Sequence, residues 1–202
     1  MVIYPSTVPI DLFDPLVKFD ITSNVLEEYK SKQDRVFGSI VHEMMGRFVD
    51  DKNKLDEEAA KRWAIPVIED LDKNYINRLG FIVWAYNKNK TIKEKDIQEV
   101  FKEETIEVTV GNNVVKGRID KVITTDENYL YIIDYKTTLR MRSINDFRNQ
   151  AKCYQFLLEK AGFVGYKKMF FGIHYLDFNF IDIVKLKMDT DKIEYILMNA
   201  GS

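Results

Sequence analysis

The sequence predicts an α/β fold with a central mixed β-sheet flanked by helices. Three observations support this prediction. Apolar residues in the first half recur at intervals of three and four, apolar residues in the next part alternate, and a later helical pattern precedes two further strands. A chain of 202 residues, 46% of them hydrophobic, falls in the size range of one compact domain. We therefore predict a single domain over residues 1–202, with residues 1–100 mainly helical and residues 101–202 forming the sheet core.

The helical half is expected to follow an irregular N-terminal arm. Apolar side chains keep the three-and-four spacing over residues 31–50, which predicts an amphipathic helix there. Residues 56–87 show the same spacing, and Pro66 indicates a kink or a new helix start, so we expect two helices. The charged segment 88–95 is interpreted as a solvated connector.

The sheet is predicted from a change of period that follows this connector. Three segments have the alternation or the β-branched and aromatic content of strands, and two short polar turns separate them. The three segments are residues 105–110, 114–124 and 129–135. Consecutive strands joined by short turns pair with each other, so we expect a three-stranded meander.

The last third of the chain is predicted to complete the sheet and to cover it. Residues 143–160 return to helical spacing, with Ser143 as the N-cap. Residues 169–176 and 178–187 are expected to form two more strands, and residues 191–198 a short closing helix. Helices would then lie on both sides of the strands.

Charge, cysteine content and hydropathy narrow the class of protein. The formal net charge of −2 argues against a uniformly basic surface for nucleic acid, but it permits a local positive groove. The single cysteine, Cys153, cannot form an intrachain disulfide or a multi-cysteine zinc or iron–sulfur site. The longest strongly apolar run, residues 81–86, is far shorter than the roughly 20 residues that span a bilayer. With no leader pattern at the start, we predict a cytoplasmic protein without a membrane partner.

Charged residues interrupt the predicted core strands at three positions. Asp120 lies within one strand, and Asp134 ends the apolar run of the next, so each carboxylate needs a partner if it is buried. One interpretation is structural: Lys136 lies on the same strand face as Asp134 and pairs with it. The other interpretation is a site for Mg²⁺ or Mn²⁺ with an ammonium group beside it, which suits phosphodiester hydrolysis.

The order of these residues resembles the core of the PD-(D/E)XK nuclease superfamily. Two further pieces, a histidine on an N-terminal helix and a Gln-x-x-x-Tyr pair after the second strand, make the chain similar to the RecB-like branch. The four pieces, in chain order, are His42, Gly117-Arg118-Ile119-Asp120, Asp134-Tyr135-Lys136 and Gln150-x-x-x-Tyr154. The resemblance implies a restriction-endonuclease-like core with an N-terminal helical region. The chain departs from relatives that carry a four-cysteine iron–sulfur cluster, because it has one cysteine.

The resemblance also implies a role for each residue. Asp120, Asp134, the imidazole of His42 and the backbone carbonyl of Tyr135 would hold Mg²⁺ or Mn²⁺, and Lys136 would orient or activate the attacking water. His42 lies on the flank of the apolar stripe of its helix, where it can reach such a site. The alternative for His42 is a hydrogen-bonded histidine at the edge of the core.

Substrate contacts are expected from the segment after the second strand. Gln150 and Tyr154 project from one helix face, where they could hydrogen-bond the catalytic loop or a DNA phosphate; the alternative is that Tyr154 belongs only to the core. Arg140 and Arg142 are the expected DNA contacts, with a solvated loop as the alternative.

Three further polar residues, Glu104, Glu107 and His174, lie in or beside predicted strands. The family often places another acid in the first strand of the meander, and Glu104 is our candidate, although the strand phase leaves Glu107 open. His174, on a later aromatic strand, is expected to be structural.

Together these features predict a metal-dependent DNA nuclease, expected to be an exonuclease of DNA repair, recombination or replication. A helicase or a single-strand-binding protein would be a partner on a separate chain, because no nucleotide-binding loop occurs here. The alternative is a catalytically silent nucleic-acid-binding or assembly subunit with the same fold. The sequence leaves open whether the substrate is DNA or RNA and whether cleavage is from an end or internal.

Overall fold

A computed structural model describes residues 2–3, 25–89, 91–93 and 96–187. Its centre is a mixed sheet, and helices cover both faces. The strands are β1 (Val2–Ile3), β2 (Ile97–Val110), β3 (Asn113–Thr125), β4 (Tyr129–Lys136), β5 (Lys168–Tyr175) and β6 (Phe180–Lys185). The helices within the described part are α1 (Val25–Phe48), α2 (Glu57–Ile68), α3 (Lys73–Tyr86) and α4 (Arg148–Lys160).

The strand order is β1-β3-β4-β5-β6, and β2 pairs with β3 outside this path. The predicted meander β2-β3-β4 is antiparallel, and β5 and β6 form an antiparallel pair. β4 and β5 are parallel, which requires a long connection, and α4 provides it. The predicted α/β fold, a central mixed sheet flanked by helices, is therefore confirmed.

The two faces of the sheet pack against different helices because side chains alternate along each strand. On β4, Leu130 and Ile132 pack into a core shared with α4. Ile133 and Tyr135 pack into a second core shared with α1, α2 and α3. A charged residue in the middle of these strands must therefore lie between the sheet and a helix.

The predicted helices occur with different boundaries. α1 begins at Val25, earlier than expected, and residues 56–87 form two helices whose N-caps are Asp56 and Asp72. Pro66 neither starts a helix nor separates the two; it lies inside α2, which ends two residues later. Only the last turn of α2 therefore loses a backbone donor, and the helix tolerates the proline.

In the second half of the chain, the observed boundaries of strands and helices also differ from the predicted ones. β2 begins at Ile97 and not at residue 105, because pairing with β3 extends to Thr125. The predicted helix 143–160 consists of a 3₁₀ helix, Ile144–Phe147, followed by α4, and the Ser143 hydroxyl caps the first turn. The parallel pairing of β1 with β3 was not predicted.

Some predictions lie outside the described residues. These are the closing helix at residues 191–198 and most of the N-terminal arm. Within the part of the chain that the structure describes, none of the helices combines the length and the apolar character needed to cross a membrane.

Candidate active site

Two neighbouring strands place the predicted carboxylates together. Lys121 of β3 pairs with Ile133 of β4, so Asp120 and Asp134 occupy adjoining positions at the end of this ladder. The exposed fractions of the two aspartates are 8% and 3%. Both point to the face covered by α4, since their neighbours Val122 and Ile132 pack there.

Asp134 is held by two donors. Its Oδ1 accepts a hydrogen bond from Gln150 Nε2 at 2.7 Å, and its Oδ2 lies 2.5 Å from Lys136 Nζ. The Asp134–Lys136 ion pair of the structural interpretation is therefore present. Burial raises the pKa of Asp134; the charge of Lys136 opposes this shift and that of Asp120 adds to it, so the net direction is upward.

Asp120 is held from the other side. Its Oδ1 lies 3.1 Å from His42 Nδ1, and its Oδ2 accepts a hydrogen bond from the backbone N–H of Tyr135 at 2.7 Å. Burial alone would raise the pKa of Asp120, but these donors and the charge of Lys136 lower it. Burial disfavours the charged imidazole of His42, yet the hydrogen bond and charge of Asp120 raise its pKa above 6.5.

Helix α1 brings His42 to the strands by a close approach at Gly38, one turn earlier. Val41, Met44 and Met45 bury the face of α1 against the sheet, and His42 stays on the flank. A Cβ atom at Gly38 would lie 2.8 Å from Thr137 Oγ1, just past the end of β4. Glycine therefore allows α1 to approach the segment that follows Lys136.

Helix α4 contributes the Gln150–Tyr154 pair. Gln150 Nε2 also donates to the Tyr154 hydroxyl at 3.0 Å, and that hydroxyl donates to the backbone carbonyl of Arg118 at 3.0 Å. Tyr154 is 6% exposed and packs in the core, so its hydroxyl binds β3 and not a group in solvent. The pair fixes the position of Asp134 relative to β3.

The chemical types of these ligands suit a divalent cation, but their side chains are not arranged around one position. Two carboxylates, an imidazole and a backbone carbonyl are ligands that Mg²⁺ or Mn²⁺ accepts. Asp134 Oδ2 is buried, and its contact with Lys136 is not a hydrogen bond of regular geometry, so this oxygen could bind a cation once Lys136 had moved away. Among the described residues, however, no three His, Cys, Asp or Glu side chains are close enough together to hold an ion. Lys136 and Gln150 occupy Asp134 instead, so a cation would have to displace Lys136.

A third acid, Glu103, faces the carboxylate cluster across the β2–β3 ladder. The register puts Glu103, and not Glu104, opposite Asp120, since Glu104 pairs with Ile119. Glu103 has a left-handed backbone (φ 54°), forms an ion pair with Arg118 and has a buried Oε1 without a hydrogen bond among the described residues. Glu107 forms an ion pair with Lys116, at 3.3 Å, and is exposed. The kink at Glu103 leaves no signal in a strand pattern.

An open cleft of about 700 Å³ leads to this cluster. Its walls include His42, Asp120 and Lys136, together with cationic and hydroxyl side chains at positions 35, 39, 118, 137 and 138. Arg140 and Arg142 do not line it. They lie exposed in the loop after β4, and Arg142 is 3.4 Å from Asp146.

Two other predicted residues are buried away from the cleft. Cys153 lies inside α4 among core residues, and burial raises the pKa of its thiol to about 12. His174 on β5 is 1% exposed on the opposite face of the sheet, and burial lowers its pKa to about 3. It does not join the carboxylates.

Three comparisons bear on the identity of the chain. Among 30 matching chains of solved structures is one titled "Crystal structure of SSO0001", with 15% sequence identity and a TM-score of 0.35; the match covers 86% of this chain and 84% of that one. Likeness at this level carries no argument here. The search of curated proteins gave no match. The family model described as the PD-(D/E)XK nuclease superfamily matches residues 21–195, which include every piece of the cluster described above. The chain therefore belongs to the PD-(D/E)XK nuclease superfamily.

Proposed function

We propose that this protein is a metal-dependent deoxyribonuclease of the RecB-like type, which hydrolyses phosphodiester bonds and acts from DNA ends. One observation supports this most strongly. Asp120, Asp134 and Lys136 adjoin one another, with His42 from α1 and Gln150 from α4, at the base of an open cleft in a member of a nuclease superfamily. These residues come from four separate elements.

Asp120, Asp134, His42 and the carbonyl of Tyr135 are the proposed ligands of Mg²⁺ or Mn²⁺. The bound ion would supply Lewis-acid chemistry, which lowers the pKa of a water molecule and withdraws charge from a phosphate oxygen. The hydrogen bonds from Gln150 and from the Tyr135 backbone orient the two carboxylates before anything binds. The protein thus prepares part of the ligand geometry in advance.

Lys136 has two roles in this proposal. In the described state its ammonium neutralises Asp134, which is 3% exposed. The Lys136 side chain is 32% exposed and borders the cleft, so it can swing away from Asp134 toward a bound phosphate. There it would donate a hydrogen bond to the attacking water and offset the negative charge that develops on the phosphate.

The cleft offers the contacts that a phosphate backbone needs. Arg35 and Arg118 supply charge at opposite sides of the cluster, and Ser39, Thr137 and Thr138 supply hydroxyl groups. Arg140 and Arg142, in the loop after β4, remain proposed contacts for DNA that extends beyond the cleft. DNA as the partner, a helicase or single-strand-binding protein on another chain, a cytoplasmic location and a single domain over residues 1–202 also remain predictions.

A second candidate function has a specific observation in its favour. Lys136 and Gln150 already occupy Asp134, and no three ligating side chains converge among the described residues. This is the arrangement expected if Asp134–Lys136 is a structural ion pair in a catalytically silent nucleic-acid-binding or assembly subunit. Such a subunit would bind DNA without added metal and leave it intact.

Digestion of labelled DNA separates the two functions. Linear single-stranded and double-stranded DNA and closed circular DNA would be incubated with Mg²⁺, Mn²⁺ or EDTA and with the native chain, Lys136→Ala or Lys116→Ala. Lys116 is a matched control, because it is a partly exposed lysine on β3 paired with Glu107 outside the cleft.

We expect metal-dependent loss of linear DNA by the native chain and by Lys116→Ala, and none by Lys136→Ala. Sparing of circles supports exonuclease activity, whereas cutting of circles makes the protein an endonuclease. An RNA strand of the same sequence tests the preference for deoxyribose. If the native chain cuts nothing with any metal, and Lys136→Ala binds DNA as the native chain does, the catalytic proposal fails and the binding subunit remains.

A further inference from the structure

A second cavity lies on the face of the sheet opposite the two carboxylates. Its volume is about 190 Å³, and it lies between the sheet, the loop that joins α1 to α2, and the end of α3. Lys121 reaches it because side chains alternate along β3, so Lys121 and Asp120 point to opposite faces. Its polar lining includes Lys52, Asn53, Lys54, Tyr86, Lys121 and His174. Two asparagines at the end of α3 and four isoleucines form the rest of the wall.

Lys121 is a buried lysine that forms no ion pair with a described residue, and burial lowers its pKa to about 7. It is 2% exposed, and its Nζ donates hydrogen bonds to Asn53 Oδ1 and to the Tyr86 hydroxyl, each at 2.8 Å. Among the described residues, no carboxylate oxygen lies within 4.0 Å of this ammonium group. A buried charge without a counter-charge is costly, so the site favours any anion that can enter.

His174 adds an unfilled polar group to the same cavity. The imidazole is 1% exposed and stacks on the Tyr86 ring at a centroid distance of 5.6 Å. Asn179 faces the imidazole, yet neither ring nitrogen makes a hydrogen bond of regular geometry with a described residue. Asn179 Oδ1 is also buried without a regular hydrogen bond, so it accounts for one ring nitrogen, and the other ring nitrogen is left without a partner among the described residues.

Asn53 and the loop around it complete a set of donors. Asn53 Oδ1 accepts from both Lys121 and Tyr86, which orients its Nδ2 as a donor. Lys52 and Lys54, on either side, are exposed and line the outer part of the cavity. Of the two acids in this loop, Asp50 accepts hydrogen bonds from the backbone N–H groups of Lys52 and Lys54 at 2.9 and 2.8 Å, and Asp51 is exposed.

We propose that this cavity binds a small oxyanion of the phosphate type through Lys121, Asn53 and His174. The anion supplies the negative charge that Lys121 lacks and the acceptor that an imidazole N–H requires. Lys52 and Lys54 attract it to the entrance. The site does not depend on nuclease activity, since it uses none of the residues of the cleft. Its ligand is either free phosphate or the phosphate group of a mononucleotide.

The test is thermal unfolding of the full chain, without divalent cations and at constant ionic strength, as inorganic phosphate or deoxyadenosine monophosphate is added. We expect a saturable rise in Tm, roughly 3 to 6 °C at ten times the Kd. Saturation by inorganic phosphate assigns the free anion, and saturation by the nucleotide alone assigns a phosphate ester.

Two variants locate the response. Lys121→Met removes the amino group. Asn53→Asp keeps the Oδ1 acceptor and places a negative charge beside Lys121. Aspartate also tolerates the φ of 61° at position 53. Both should lose the rise in Tm, and Asn53→Asp alone suffices if Lys121→Met does not fold. Lys136→Ala should keep it. The proposal is overturned if neither anion gives a saturable rise, if Asn53→Asp responds like the native chain, or if Lys136→Ala abolishes the rise.

Discussion

Removal of the Gln150 amide is the most informative single change at the carboxylate cluster. Gln150 Nε2 donates to Asp134 Oδ1 at 2.7 Å, and its position is fixed in turn by the Tyr154 hydroxyl. Gln150→Leu keeps a side chain of similar size but removes the donor. Among the described residues, Lys136 then remains as the one hydrogen-bonding or charged partner of Asp134, and a metal ion must displace it.

The expected magnitude follows from the hydrogen bond that is lost. A hydrogen bond to a charged group in a buried site contributes about 1.5–3 kcal/mol, which corresponds to a factor of roughly 10 to 150 in an equilibrium constant. Loss of an outer partner of a metal ligand typically weakens metal affinity by about 10- to 100-fold. We therefore predict that Gln150→Leu raises the Kd for Mn²⁺ by about 10- to 100-fold.

Isothermal titration of Mn²⁺ into the native chain and the variants measures this effect. Gln155→Leu is the matched control: it removes an amide from the same helix, but this amide binds Glu159 and the carbonyl of Lys187, away from the cluster. Gln155→Leu should bind Mn²⁺ like the native chain, even if it is less stable. A folded Gln150→Leu protein with native Mn²⁺ affinity would refute the reasoning that Gln150 orients a metal ligand.

Three further predictions concern packing and protonation. Gly38→Ala should lower the free energy of unfolding by about 1 kcal/mol, because its Cβ would lie 2.8 Å from Thr137 Oγ1. Gly80→Ala should raise the free energy of unfolding by about 0.5–1 kcal/mol, because no atom lies within 4 Å of the added Cβ. Urea denaturation of the two variants measures these changes, and equal effects of the two substitutions would contradict the prediction. Burial lowers the pKa of His174 in the folded chain to about 3, against 6.5 for a free imidazole. Between these two pH values the unfolded chain binds a proton at His174 that the folded chain does not. The free energy of unfolding therefore falls as the pH falls through this range. From pH 6.5 to pH 5 the native chain should lose about 1.5 kcal/mol more stability than His174→Leu in phosphate-free buffer, and parallel losses would show that His174 is protonated when folded. Burial raises the pKa of Cys153 from 9.0 to about 12, so the folded chain should react with a disulfide reagent at pH 8 about a thousandfold more slowly than the chain in urea; similar rates would mean that the thiol is accessible.

Much of the fold could be predicted because its elements carry clear periodic patterns. The amphipathic stripe of α1 and the β-branched and aromatic strands β3 to β5 have the spacing of a buried face, and those elements were found. The first half of β2 has no such alternation; it is extended because β3 pairs with it over its whole length. The left-handed backbone at Glu103 and its position opposite Asp120 likewise depend on strand pairing, so the sequence pattern did not single out Glu103.

The cluster was predictable to the extent that it rests on residue types at fixed spacing. His42, Asp120, Asp134, Lys136 and Gln150 are brought together as expected, although their roles remain proposals. The sequence could not show that Lys136 and Gln150 occupy Asp134, because that depends on side-chain conformation. Nor could it show the second cavity, whose lining comes from distant parts of the chain that meet only in the folded protein.

The central claim is that side chains from α1, β3 and β4 form one divalent-metal centre. Anomalous diffraction from crystals of the native chain grown with Mn²⁺ tests it most directly. We expect one ion within ligand distance of Asp120, Asp134 and His42, with the Lys136 ammonium displaced from Asp134. If crystals grown in a solution that contains Mn²⁺ show no ion at this cluster and keep the Lys136–Asp134 ion pair, the proposed metal centre is contradicted and the ion pair is structural.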